Sequence, residues 1–292
     1  MLPRRHIRIK VFQTLYAFSQ QLGDKKLDTK KALKNNLSDY VNLYYFIIDT
    51  LILIREIAEN EIVAQKKKLL PTQEDLNPNK KFIQNNILKE LNTRKKLSGK
   101  IDYKKLKIIL KQIFKNLKNK NTYINYMESD EKSYQNDKKI VIHVLKNVIT
   151  HESIHEFIED YSIYWNDDLI IVYNIFLERI NNEENLKYLN IFRSSDDEEF
   201  AKNLLEKTIE QEKKISSIIY DLAKNWDKER IALIDLILMK MAITEMMYIQ
   251  TIPNKVTIDE YIEISKEYST PKSKEFINGI LDAFIKDILF KK

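Results

Sequence analysis

Apolar positions recur along this chain at intervals of three and four, the spacing that lines up one face of an α-helix. Over residues 4–21, Ile7, Val11, Leu15 and Phe18 fall on one such face, with Lys10, Gln13 and Ala17 opposite. Pro3 sits near the first turn, where a missing N–H is tolerated. Gly23-Asp24 then closes the helix, and a Lys-rich stretch runs on to Lys34. A long periodic segment over 37–65 predicts a second helix. Its most apolar run, 41–54, is interrupted by Asn42 and Asp49 and falls short of the roughly 18 residues of a membrane span, so it predicts a buried helix.

Leu70-Pro71 and Asn77-Pro78 break the pattern and predict a loop, after which helical periodicity returns over 103–117, 137–149, 153–161 and 167–180. The acidic run Ser194-Ser195-Asp196-Asp197-Glu198-Glu199 suits a helix start, because carboxylates favour the positive end of the helix dipole. From there the pattern is dense to the end and predicts one compact bundle. Within it, residues 227–249 are apolar on nearly every face, through Ile231, Leu233, Ile237, Met241, Ile243 and Met246 among others, so this helix must be central.

Composition sharpens the picture. Three Gly and five Pro in 292 residues leave few tight turns, which favours an all-α fold. The absence of Cys removes disulfides, Cys-ligated metals and thiol nucleophiles, and suits a reducing compartment; with no export signal at the N-terminus, the cytoplasm is expected. A net charge of +6 permits a polyanionic partner, although a general preference for Lys would give the same surplus, so placement must decide.

That placement is unusual. Arg4, Arg5, His6 and Arg8 open the first helix, where free amides carry positive partial charge and disfavour cations; a bound anion would resolve the conflict. The last helix repeats the arrangement, with Thr270-Pro271 as cap and first turn and Lys272 and Lys274 following. Tyr16 and Phe276 lie beside the two clusters and offer rings on which single-stranded bases could stack. Asn278-Gly279 within the last helix costs up to about 1 kcal/mol relative to Ala, which predicts a close approach by another helix or a partner.

These residues resemble a known family. Arg4-Arg5-His6-Ile7-Arg8 followed by Gln13-Thr14-Leu15-Tyr16 is similar to the NusB opening. Glu229-Arg230, Glu245, Ile252-Pro253-Asn254-Lys255-Val256, Asp259-Glu260, Ser265-Lys266-Glu267-Tyr268 and Phe276-Ile277-Asn278-Gly279-Ile280-Leu281-Asp282 resemble the later NusB motifs in order and spacing. The resemblance covers 1–22 and 198–292 and implies a NusB-like pair of three-helix bundles. Helices at 4–21, 200–211, 213–225, 228–249, 257–268 and 272–289 would supply the six, and 23–197 would be a helical insertion.

It also implies a non-enzymatic transcription antitermination factor. Such a protein binds boxA-like single-stranded RNA together with NusE, a small-subunit ribosomal protein, within the RNA polymerase antitermination complex that completes ribosomal RNA transcription. Carried over by position, Arg4, Arg5, Arg8, Gln13, Tyr16, Lys272, Lys274 and Phe276 would face RNA, while Glu229, Asp235 and Lys240 would face NusE. Two departures from the family pattern stand out: Glu275 and Lys272 carry charges opposite to those often found there, and Asp259 replaces the usual Asn. No cofactor or metal is implied.

The rival reading is a zinc metalloprotease, since His151-Glu152-Ser153-Ile154-His155 matches H-E-x-x-H. It is disfavoured because no extended zincin signature supplies a third ligand, and because the segment reads as a helix start with Thr150 as cap and Glu152 favouring the dipole. Three glycines cannot build a phosphate loop, and Trp165-Asn166-Asp167-Asp168 reads as a capping turn before an apolar run.

Overall fold

A computed structural model describes residues 1–21, 28–91, 101–224, 226–249 and 251–289. Among them the chain forms fourteen α-helices and no strand. Two compact units are built: Met1–Leu37 with Ile191–Lys292, and Ser38–Asn190. The predicted stop at Gly23-Asp24, like the expected boundary at 22/23, lies outside the described residues.

The first unit holds α1 (Arg4–Ser19), α10 (Ser195–Glu210), α11 (Glu212–Leu222), α12 (Leu233–Tyr248), α13 (Asn254–Tyr268) and α14 (Ser273–Phe284). Helix α12 is its axis: it touches the other five, and every residue from Ile237 to Met246 is buried. It starts later than the apolar pattern suggests, because the Asp227 carboxylate accepts the Glu229 N–H and a separate 3-10 turn forms over Lys228–Arg230. The last helix is also shifted. Its cap position is Lys272, and Thr270 belongs to the preceding turn, its hydroxyl 2.9 Å from that of Ser273.

Helix α1 corrects the expectation of one apolar and one polar face, since everything from Ile7 to Leu15 is buried. Packing against α10, α12 and α13 covers most of its circumference. The polar side chains are satisfied internally: Lys10 donates to the Gln13 amide oxygen at 3.4 Å, and Asn36 donates to the same oxygen at 3.1 Å. Phe18, expected in the core, is half-buried. Gly279 also departs from expectation. It is exposed, and a Cβ there would meet nothing within 4 Å, so no helix of the described residues approaches it.

The second unit contains most of α2 (Thr29–Lys66), then α3 (Gln73–Leu76), α4 (Asn86–Glu90), α5 (Tyr103–Lys118), α6 (Asn121–Glu128), α7 (Tyr134–Ile149), α8 (Glu152–Glu159) and α9 (Trp165–Asn181). The apolar stretch 41–54 of α2 is buried at nearly every apolar position, as its pattern predicts. Helix α7 packs against α4, α5, α6, α8 and α9. Aromatic contacts fill the interior, with Phe46 5.4 Å from Trp165 and Phe82 5.5 Å from Phe114 between ring centroids. Buried Asp137 ties the short helix α4 down by accepting the Asn86 N–H and the Tyr126 hydroxyl at 2.9 and 2.7 Å.

Candidate nucleic-acid interface

The start of α1 and the N-terminal turns of α13 enclose an open cleft of about 580 Å³. One wall is Pro3, Arg4, Arg5, His6 and Arg8; the other includes Ile252, Pro253, Val256 and Glu260. The conflict between these arginines and the helix dipole is resolved by the protein's own carboxylates. Arg4 donates to Asp197 at 2.9 Å, and Arg5 forms a two-pronged pair with Glu260, both bonds 2.9 Å. The hydrogen bond from Arg5 holds the Glu260 carboxyl below its ordinary pKa. Both arginines stay partly open to solvent, at 40% and 38% side-chain exposure.

Arg8 differs, and corrects the expectation of an exposed residue. Its side chain is 2% exposed and its partner Glu245 is 0% exposed. The guanidinium donates to both Glu245 oxygens, at 2.8 and 2.6 Å, and lies 5.2 and 5.8 Å from the ring centroids of Phe200 and Tyr261. Thr257 and Tyr261 donate to the same carboxylate, at 2.8 and 3.1 Å. Burial is the largest influence on Arg8 and opposes its charge, but the Glu245 hydrogen bonds together with the charges of Tyr261, Glu245 and Glu260 leave its pKa raised. The hydrogen-bonded pair satisfies charges that burial would otherwise penalise heavily. His6, beside this network, is kept neutral, its pKa lowered to about 4 by burial and then by the charges of Lys10 and Arg5.

Of the other expected contacts, Gln13 is buried against Asn36, whereas Tyr16 is exposed at the far end of α1, about 18 Å along the helix from Arg4 at 1.5 Å per residue. Phe12 connects that end to α13: its ring centroid is 6.2 Å from Tyr16 and 5.3 Å from Tyr268, the last residue of α13. The turn after Tyr268 leads into α14, whose Lys272, Lys274 and Glu275 are exposed and whose Phe276 is half-buried. Arg4, Arg5, Tyr16, Lys272 and Lys274 therefore reach solvent, and Arg8 and Gln13 support them from below.

Expectation and structure also diverge at the partner surface. Asp235 is buried and accepts the Ser269 hydroxyl at 2.5 Å, fixing the turn between α13 and α14. Lys240 is buried and pairs with Glu212 at 2.8 Å. Only Glu229, on the 3-10 turn, is open to solvent.

The NusB family profile matches residues 135–286, more than half of the chain. The chain belongs to the NusB family. It is similar to the transcription antitermination protein NusB of Thermodesulfovibrio yellowstonii, 38% identical over 145 residues that make up 49% of this chain and 93% of that protein. The NusB of Salinibacter ruber is 43% identical over 90 residues, 31% of this chain and 56% of that protein; that of Oleidesulfovibrio alaskensis is 46% identical over 87 residues, 30% and 56%. The chain thus spans little more than half the length of two of these relatives. No solved structure matches it.

The NusB profile extends upstream of α10 into α7–α9 and does not include α1, whose place beside α10, α12 and α13 is seen only in the fold. The H-E-x-x-H segment is not arranged as a ligand pair. Thr150 closes α7, and His151 is the cap of α8, its ring nitrogen accepting the Ser153 N–H at 3.3 Å; His155 faces the Asn166 amide oxygen at 3.0 Å. Among the described residues no three His, Asp or Glu side chains converge on a metal-sized site. No described helix is long and apolar enough to cross a membrane.

Trp226 lies outside the positions that the sequence pattern marks. This residue follows α11, is 59% exposed and touches Phe276 with ring centroids 4.9 Å apart. A bulky aromatic standing between Asn225 and Asp227, outside any apolar run, was the signal available in the sequence.

Proposed function

We propose that this protein is a transcription antitermination factor that binds a short boxA-type single-stranded RNA together with NusE and promotes complete transcription of ribosomal RNA operons. The carrying observation is the set of solvent-reaching cations, Arg4 and Arg5 on α1 and Lys272 and Lys274 at the start of α14, in a chain of the NusB family. Phosphates would exchange places with Glu260 and Asp197 on Arg5 and Arg4 and meet Lys272 and Lys274, while exposed rings take the bases. We assign the RNA-binding core to 1–22 with 198–292, and treat 23–197 as a helical insertion with a separate role. Glu229 is the expected contact to NusE. The action is binding, not catalysis, and its setting is the cytoplasm.

The test is binding of a boxA-like RNA by the full chain, with and without NusE, across a salt series. Tighter binding with NusE and a log–log salt slope of about −0.7 per neutralised phosphate support the reading. Absence of binding in both conditions overturns it.

A further inference from the structure

The exposed indole of Trp226 has no structural explanation in the packing around it. Large aromatics contribute most when their faces are covered, yet this side chain is 59% exposed, and among the described residues its indole N–H donates no hydrogen bond. It is nevertheless held in place. The Trp226 backbone N–H donates to the Ala223 carbonyl at 2.9 Å, and the ring leans on Phe276 at an interplanar angle of 57°. Helices α11 and α14, which bring the two residues together, are themselves in contact.

Charges of both signs flank the pair along the chain. Lys224, Arg230, Lys272 and Lys274 are all exposed, and among the described residues none forms an ion pair. Asp227, Glu229 and Glu275 are also exposed nearby, so the surface is a mixed one with unengaged cations at its edge.

We propose that Trp226, braced by Phe276, is a stacking platform for one unpaired RNA base, with the surrounding cations holding the flanking phosphates. The two rings are already in contact and leave no room for a base between them, so stacking uses the outward face of the indole, and the free N–H is available to a base edge or phosphate. A protein partner would need an apolar socket with acidic flanks; unpaired lysines beside one open ring fit single-stranded RNA better, because every base has a π-face and every nucleotide an anion. This inference rests on the single-stranded RNA reading above and adds a residue and a contact mode to it.

The experiment uses the full chain and a boxA-like RNA oligonucleotide, with emission and anisotropy recorded together. The chain has two tryptophans, and the other, Trp165, is buried with its N–H donated to the Asp39 carbonyl at 3.2 Å, so it supplies a constant background. RNA should quench Trp226 emission. Trp226→Ala should weaken binding about 5- to 140-fold, the equivalent of about 1–3 kcal/mol per stacked base, while Trp226→Phe should retain most of the affinity. RNA binding without quenching, or with unchanged affinity in Trp226→Ala, overturns the platform and leaves the RNA reading standing. Failure of the unmodified protein to bind RNA at all overturns both. If Trp226→Ala is unfolded by circular dichroism, the quenching result and Trp226→Leu, which keeps apolar bulk without a π-face, decide in its place.

Discussion

Replacing Glu245 by Ala should be the most damaging single change in the first unit. The substitution removes four hydrogen bonds at once, two from Arg8 and one each from Thr257 and Tyr261, and strands a guanidinium that is 2% exposed. Removing one partner of a buried ion pair costs about 3–5 kcal/mol. Against a total stability of about 5–15 kcal/mol this is a large fraction. At about 2–4 °C per kcal/mol, the melting of this unit should fall by about 6–20 °C. Hydrogen exchange read by mass spectrometry resolves the two units and should show α1, α12 and α13 losing protection while α5–α9 keep theirs. The double variant Arg8→Met with Glu245→Gln removes the stranded charge and leaves an amide oxygen for Thr257 and Tyr261, so it should recover more than half of the loss. A loss below about 1 kcal/mol in Glu245→Ala, or no recovery in the double variant, would refute the assignment of a buried, mutually dependent pair. By the same argument Arg8→Glu sets two carboxylates against each other in the core and should unfold the unit, so RNA binding cannot be probed through it.

Arg5 is the position for that probe. Its pair with Glu260 is partly exposed and worth less than about 1 kcal/mol, so Arg5→Ala should melt normally while RNA affinity drops and the salt slope becomes shallower by about 0.7; an unchanged slope by anisotropy would exclude a phosphate contact there. His6 sets a pH dependence: with its folded pKa lowered to about 4 from an ordinary 6.5, the unfolded chain takes up a proton that the folded chain refuses. Stability from this group is therefore full above pH 6.5 and is lost as pH falls, by about 2–3 kcal/mol at pH 4.5. Urea midpoints at pH 7 and 4.5 should converge in His6→Gln, and an equal drop in both proteins would count against it. Asp235→Lys should destabilise the fold, since the carboxylate is buried against Ser269; normal melting with reduced NusE affinity would return Asp235 to the partner surface.

Periodicity made the long helices legible. The patterns at 103–117, 137–149 and 167–180 agree with α5, α7 and α9 to within a few residues, and the all-apolar segment did mark the unit's axis, α12. Helices α3 and α4 were not legible, because four or five residues hold too few turns for a repeat, and α4 depends on a carboxylate, Asp137, about fifty residues away. The same limit hid the chemistry of Arg8. A local reading sees a cation at a helix start and supplies an external anion, but the counter-charge is Glu245, inside a helix whose pattern is apolar on nearly every face. Lys10 and Gln13 deceived for a related reason: polar residues mark a solvated face unless distant parts of the chain cover it, and that covering is a property of tertiary packing.

Residue order along the chain has a consequence for biosynthesis. Helix α1 is made before α12, and its buried arginine is completed by a residue 237 positions later, a delay of about 12–47 s at about 5–20 residues per second. The continuous segment Ser38–Asn190 emerges whole in the interval, so the nascent N-terminal helix waits, apolar flank uncovered and guanidinium hydrated, through the manufacture of an entire second body. Such a helix is an obvious client for whatever shelters unfinished chains at the ribosome exit, and the moment at which α12 appears is the moment at which that shelter becomes dispensable.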